Sequence, residues 1–301
     1  GPDLTSSGRF IKNRTAGVDI AARVLVTPDN TFYLVGTCSD DFCFEGFNDN
    51  GTNNGLGTTT AIGAGIDYGY SAHFQADGKV VVIGECDNAG GDREFCFLRK
   101  HPNVPGLDTT FRGPAGTGSG KFSIPFTADS SSAYASALAP DGKIIAVGGC
   151  YVAAEARTKL CLARINQYGA LDPSFDGGVG GNGQIIFAPS GGSSLGNAVA
   201  LEADGGIIVA STCTASSGAN DDFCVNRFQG DPYTGVRCTM DIDGDGVIAA
   251  TTDGLLFSRA AMGLTGTAVT NGITFAASAT RADWDSIRDY LNLHCGMRTG
   301  R

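Results

Sequence analysis

Hydrophobic and polar positions recur along the chain as one repeated unit: a polar turn, a Val/Ile-rich run, and a cysteine at the end of the run. Four copies are present. They read TPDNTFYLVGTC (27–38), QADGKVVVIGEC (75–86), APDGKIIAVGGC (139–150) and EADGGIIVASTC (202–213). Asp29, Asp77, Asp141 and Asp204 stand at the same distance before the cysteine in every copy. Asp-Gly and Asp-Asn tolerate positive φ and mark hairpin turns, and the β-branched run that follows predicts a buried strand. A second cysteine then opens another apolar strand: CFEGF at Cys43, CFLRK at Cys96, CLARI at Cys161 and CVNRF at Cys224.

A turn and a fourth strand follow. Two copies carry the turn as GLDTTF (106–111) and ALDPSF (170–175), and the strand as GKFSIPF (120–126) and GQIIF (183–187). The first copy is degenerate here, reading NGLGTTTAI (54–62). The fourth stops at GDPYTG with no fourth strand, whereas the chain begins with SGRFIKN (7–13), a fourth-strand pattern with no copy of its own. The two ends are therefore expected to complete one blade together. The fold class that follows is all-β: a four-bladed β-propeller closed by the N-terminal strand, with a small α-helical EF-hand-like appendage at the C-terminus. Closure removes the sheet edges that an open stack would leave exposed. The expected propeller covers 1–236, with repeats at about 16–62, 63–126, 127–187 and 188–236 and residues 3–15 as the closing strand. The appendage covers 237–301.

The stretch PDGKIIAVGG, followed by LARINQYGALDPSFDGGVGGNG and a short strand, resembles the bacterial delta-60 repeat. The resemblance runs over roughly residues 3–235 and is sharpest in the second and third copies. It implies a repeat β-fold and a secreted or surface-associated bacterial protein, with no settled activity. The paired cysteines are not part of the general repeat.

There are ten cysteines, an even number with no CxxC, and eight of them recur at equivalent positions. Free buried thiols or metal ligands are the alternative reading. The regular placement instead predicts disulfides within each copy, Cys38–Cys43, Cys86–Cys96, Cys150–Cys161 and Cys213–Cys224, and an oxidising compartment. These bridges would join opposed residues of neighbouring antiparallel strands. Cys238 and Cys295 remain as a fifth pair.

From Cys238 the texture changes to CTMDIDGDGVIAATTDGLLFSRAAMGL. Asp241, Asp243 and Asp245 fall at alternating positions with Gly246 at the sharp turn, which suits a hard cation that takes six to eight oxygens. Val247 would add a backbone carbonyl. Thr252 stands where an EF-hand closes with a carboxylate, so Asp253 is the better closing ligand. The segment resembles the first half of a dockerin-type calcium module, and one Ca2+ is expected. A solvated Asp-Gly turn is the plainer alternative. Helices are expected over 254–264 and in TRADWDSIRDYLNLHC (280–295), where Thr280 with Asp283 makes a helix-start signature. Trp284, Ile287 and Leu291 have helical spacing and read as core.

Charge narrows the function classes. Asp and Glu number 31 against 21 Lys and Arg, a net −10, which repels phosphate backbones and disfavours nucleic-acid binding. No apolar run is long enough for a membrane span. Three histidines, His73, His101 and His294, do not assemble a triad or a zinc set. The expected role is a secreted or cell-surface, non-enzymatic binding or structural module, for adhesion or assembly, with an extracellular protein or glycan as partner. The alternative is a secreted, glycosidase-like hydrolase that uses carboxylates at the propeller mouth. The acidic inter-cysteine loops, with Asp40, Asp41, Asp87, Asp92, Asp221 and Asp222, read either as polar loop tips or as a rim that binds a cation or a cationic partner.

Overall fold

A computed structural model describes residues 16–127, 129–175, 182–188, 191–202, 205–215, 220–230, 239–295, 297 and 299. The chain divides into two compact units, one holding all the strands and one holding the helices.

The strand-rich unit is a series of four antiparallel meanders. The first sheet is β1 (Asp19–Val26), β2 (Phe32–Cys38), β3 (Asp41–Phe47) and β4 (Thr58–Thr60). The second is β5 (Asp67–Phe74), β6 (Val80–Asp87), β7 (Arg93–Lys100) and β8 (Lys121–Ile124). The third is β9 (Ser131–Leu138), β10 (Ile144–Val152), β11 (Arg157–Ile165) and β12 (Gln184–Phe187). The fourth has three described strands, β13 (Gly191–Leu201), β14 (Ile207–Ala215) and β15 (Asp221–Phe228). The repeated Asp turn joins the first two strands of each sheet. The residue after the aspartate carries a positive φ: 61° at Asn30, 76° at Gly78, 82° at Gly142 and 91° at Gly205. That conformation is why Gly or Asn stands there. Asp204 itself lies outside the described residues.

Successive sheets pack face to face. Tyr33, Val35, Phe42 and Phe44 of the first meet Ala72, Val80, Val82 and Leu98 of the second. Val81, Ile83, Phe95 and Phe97 of the second meet Ala133, Ile144, Ala146 and Ile165 of the third. The second strands of the second and third sheets, β6 and β10, are thus covered on both sides, which explains their continuous apolar runs. Each first strand carries a bulge at the same place, between Ala21 and Arg23, Gly69 and Ser71, Ala133 and Ala135, and Gly196 and Ala198. A repeated bulge bends every first strand alike.

The four disulfides Cys38–Cys43, Cys86–Cys96, Cys150–Cys161 and Cys213–Cys224 are formed, with Cα separations of 5.3–6.0 Å. They do not join directly opposed residues. Cys38 faces Asp41 and Cys43 faces Gly36, and the same offset recurs in the other three sheets. The bridges run diagonally on one sheet face, past a small residue (Gly36, Gly84, Gly148 or Ser211) that leaves room for the sulfurs. Each closes a short loop and contributes about 2–3 kcal/mol.

The LD turns of the second and third copies have a structural role. Arg99 Nη2 lies 2.8 Å from Asp108 Oδ2, and Arg164 Nε lies 2.9 Å from Asp172 Oδ2. Lys79 and Lys143 reach the same carboxylates at 3.0 and 2.9 Å. Each guanidinium also lies over the phenylalanine that ends its turn, Phe111 or Phe175.

His73 links the second and third sheets. Its Nε2 lies 3.1 Å from the Ser136 carbonyl and 2.9 Å from the Ser136 hydroxyl. Burial pushes its pKa down to about 4, against the Ser136 hydrogen bond that raises it. The folded chain therefore holds a neutral ring where the unfolded chain, with an ordinary pKa of about 6.5, binds a proton. Stability should fall as pH drops from 6.5 towards 4. Urea titrations over that window should show a flatter slope for His73→Gln than for the parent.

Ring closure is not observed among the described residues. No strand pairing joins the fourth sheet to the first, and residues 3–15, expected as the closing strand, lie outside them.

The helical unit holds α1 (Asp253–Ala261), α2 (Thr267–Thr270) and α3 (Trp284–Cys295). Its core is Ile242, Leu256, Ala260, Val269, Trp284, Ile287, Tyr290 and Leu291, so the helically spaced Trp284, Ile287 and Leu291 are core residues. The start of α3 differs from the expected pairing. Asp283 Oδ1 accepts the Ser286 N–H at 2.9 Å, while Thr280 donates to the Gly244 carbonyl. A side chain three residues before an amide has the reach to cap it, which makes Asp283 the cap. Cys295 is disulfide-bonded, and its expected partner Cys238 lies outside the described residues.

Candidate metal centre

The loop before α1 is shaped by its own carboxylates. Asp241 Oδ1 accepts the N–H groups of Gly244 and Asp245 at 2.8 and 3.1 Å, and Oδ2 accepts that of Gly246 at 3.1 Å. The chain can fold back this tightly because Gly244 and Gly246 take φ of 73° and 92°. Asp253, the first residue of α1, reaches back across the loop. Its Oδ1 accepts Ile242 N–H at 2.6 Å and Asp243 N–H at 3.1 Å, and its Oδ2 accepts Ala249 N–H at 2.8 Å.

This folding brings one oxygen each of Asp241, Asp243 and Asp253 within 4.8 Å of one another. Asp243 and Asp253 are fully buried. Asp243 Oδ1 accepts the Asp245 N–H, but its Oδ2 is buried with no hydrogen-bond partner. An unpartnered buried carboxylate oxygen beside two like charges is costly, and a hard cation would satisfy it. The pKa directions agree with that electrostatics. Burial, followed by the charges of Asp253, Asp245 and Asp241, raises Asp243 above the usual carboxylate range. Asp253 is lowered: burial would raise it, but the backbone N–H bonds from Ala249, Asp243 and Ile242 and the Thr252 hydroxyl outweigh burial.

Two residues of the expected ligand set stand apart from the trio. Asp245 turns its Oδ1 to the Val247 N–H at 2.7 Å, and Val247 is exposed. Thr252 donates its hydroxyl to Asp253 Oδ2 rather than offering a ligand of its own. The donors that converge are all carboxylate oxygens, a chemistry that suits Ca2+ and not a soft metal.

Arg281 is part of this site and was not singled out in the sequence. Its Nε donates to the Ile242 carbonyl and its Nη2 to the Asp241 carbonyl, both at 2.8 Å, and its own N–H donates to the Asp243 carbonyl at 2.8 Å. The guanidinium lies 4.0 Å from the centroid of the Tyr290 ring. It clamps the backbone that carries the carboxylates and places a positive charge behind them. The only sequence signal was a lone arginine far along the chain, which no spacing rule connects to the loop.

Two of the other candidate acids, Asp87 and Asp92, already hold hydrogen bonds. Asp87 Oδ2 accepts the Ile66 N–H, and Asp92 Oδ1 accepts from the Ser130 hydroxyl. Asp41 is raised by burial and by Asp40. Asp221 and Asp222 are exposed at the start of β15. Glu85, buried in β6, is held by Arg93 at 2.7 Å and by the Tyr70 hydroxyl at 3.1 Å.

A family model described as a domain of unknown function (DUF5122) β-propeller matches residues 139–175, from the third Asp turn to the end of ALDPSF. With the four repeated meanders, this match supports a β-propeller-like repeat protein. No curated protein matches. Among solved structures, the chain is similar to a hypothetical protein from Leishmania major, at 13% identity over 70% of this chain and 67% of that one, with a TM-score of 0.33. It is similar to a polysaccharide lyase of family PL25, an ulvan lyase, at 11% identity over 69% of this chain, with a TM-score of 0.36, and spans 56% of the lyase. It is also similar to a mannose phosphorylase from Leishmania mexicana, at 12% identity over 69% of this chain and 66% of that one, with a TM-score of 0.32.

Proposed function

We propose that the chain is a secreted or cell-surface, non-enzymatic binding or structural module, stapled by disulfides and stabilised by one Ca2+ in a dockerin-like helical unit. The observation that carries this reading is the meeting of Asp241, Asp243 and Asp253 around the unpartnered Asp243 Oδ2. Calcium there would be held by these carboxylates, with Arg281 fixing the loop. It would neutralise their mutual repulsion and lock the start of α1 to the loop. Four disulfides support an oxidising compartment. No described helix is long and apolar enough to cross a membrane.

The hydrolase alternative requires a pair of free carboxylates flanking a bond. The described buried acids of the strand-rich unit instead have partners: Asp108, Asp172 and Glu85 on arginines, Asp67 on the Ile62 and Gly63 N–H groups, and Glu45 on the Asn53 side-chain amide. The full chain should bind a panel of extracellular polysaccharides and surface proteins more strongly with calcium than with a chelator, and release no product. Release of reducing or unsaturated ends from any polysaccharide would overturn the reading.

A further inference from the structure

Among the described residues, the stacking of one sheet on the next leaves two faces without a neighbour. In each sheet, two positions on the third strand face the following sheet. In the first three sheets they are Phe42 and Phe44, Phe95 and Phe97, and Leu160 and Leu162, none more than 2% exposed. In the fourth they are Phe223 and Val225, 102% and 73% exposed. The register establishes the equivalence, because each pair begins one residue after the partner of the first cysteine: Asp41, Glu94, Lys159 or Asp222.

The opposite end shows the complement. Ala72 of β5 and Ser136 of β9, each on a sheet's first strand, are buried against the preceding sheet. The matching residue of β1 is Val24, 55% exposed, with Val26 on the same face at 49%. Such a run of large apolar side chains is not the composition of a solvated strand.

From these two faces we infer that the chain binds a second copy of itself head to tail, the β1 face of one copy covering the Phe223/Val225 face of the next. The interface already exists three times inside the chain, and the two open faces keep its close contact. Gly69 lies against the Gly36 carbonyl of the sheet before it, and Gly196 lies against Gly148. At the open ends the corresponding residues are Ala21 and Ser211, both small enough for the same approach. Because the two faces differ, the contact is heterologous and extends into a ring or a filament.

Two surface variants test this. Phe223→Asp with Val225→Asp spoils one face, and Val24→Asp spoils the other. All three positions are exposed, so each variant should keep the parent's circular dichroism and melting midpoint. Sedimentation of the parent should show concentration-dependent oligomers. Each variant alone should be monomeric, and a mixture of the two should give dimers, since each retains one intact face. A monomeric parent overturns the inference. So does a loss of stability in either single variant, which would mean that the chain closes on itself. The calcium reading fails or stands separately, because the sole tryptophan, Trp284, reports the helical unit in every variant.

Discussion

Replacing Asp172 by alanine should destabilise the strand-rich unit by about 3–5 kcal/mol, the usual cost of leaving a buried charge without its partner. Arg164 is 3% exposed, and Asp172 is its partner at 2.9 Å, with Lys143 on the same oxygen. Alanine also removes the acceptor of the Ser174 N–H and hydroxyl, which fixes the ALDPSF turn. Urea unfolding followed by far-ultraviolet circular dichroism should report the loss as an earlier midpoint. The pH dependence supplies a second signature. Burial would raise the Asp172 pKa, but the bonds from Lys143 and Ser174 and the charge of Arg164 outweigh it and hold it near about 2. A depressed carboxylate contributes stability above its unfolded pKa, and that stability is lost as pH falls from about 3.8 to 2. The Asp172→Ala chain should lack this part of the acid limb.

The second large effect is the linkage of calcium to folding of the helical unit. Ligand that binds only the folded state stabilises it by about 2.7 kcal/mol at a hundredfold excess over Kd and about 4.1 at a thousandfold. Trp284 lies in the core of this unit, so its fluorescence follows that unit's unfolding. The midpoint should rise with calcium for the parent and stay fixed for Asp243→Ala. Coincident melts with calcium and with chelator would remove the site.

Much of the strand-rich unit was legible because its signals are local. The Asp-Gly turn, the Val/Ile run and the cysteine fall within a dozen residues, and the register places β2, β3 and their counterparts where those signals point. The first strands were harder. DYGYSAHF and SSAYASAL carry little apolar alternation, and in the first of them Gly69 comes close to the Gly36 carbonyl of the preceding sheet, where a larger side chain does not fit. The diagonal offset of the disulfides was also hidden, since spacing alone does not fix a register between two strands. The alternating aspartates were legible in the same local way. Arg281 was not, because it reaches the loop only through the packing of the helical core.

The most direct test of the account is a calorimetric titration of the full chain with Ca2+ after removal of metal by chelator. One cation should bind per chain, with the heat abolished by Asp243→Asn and preserved by Asp221→Asn in β15. A flat titration of the parent, or an equal response from Asp243→Asn, would contradict it.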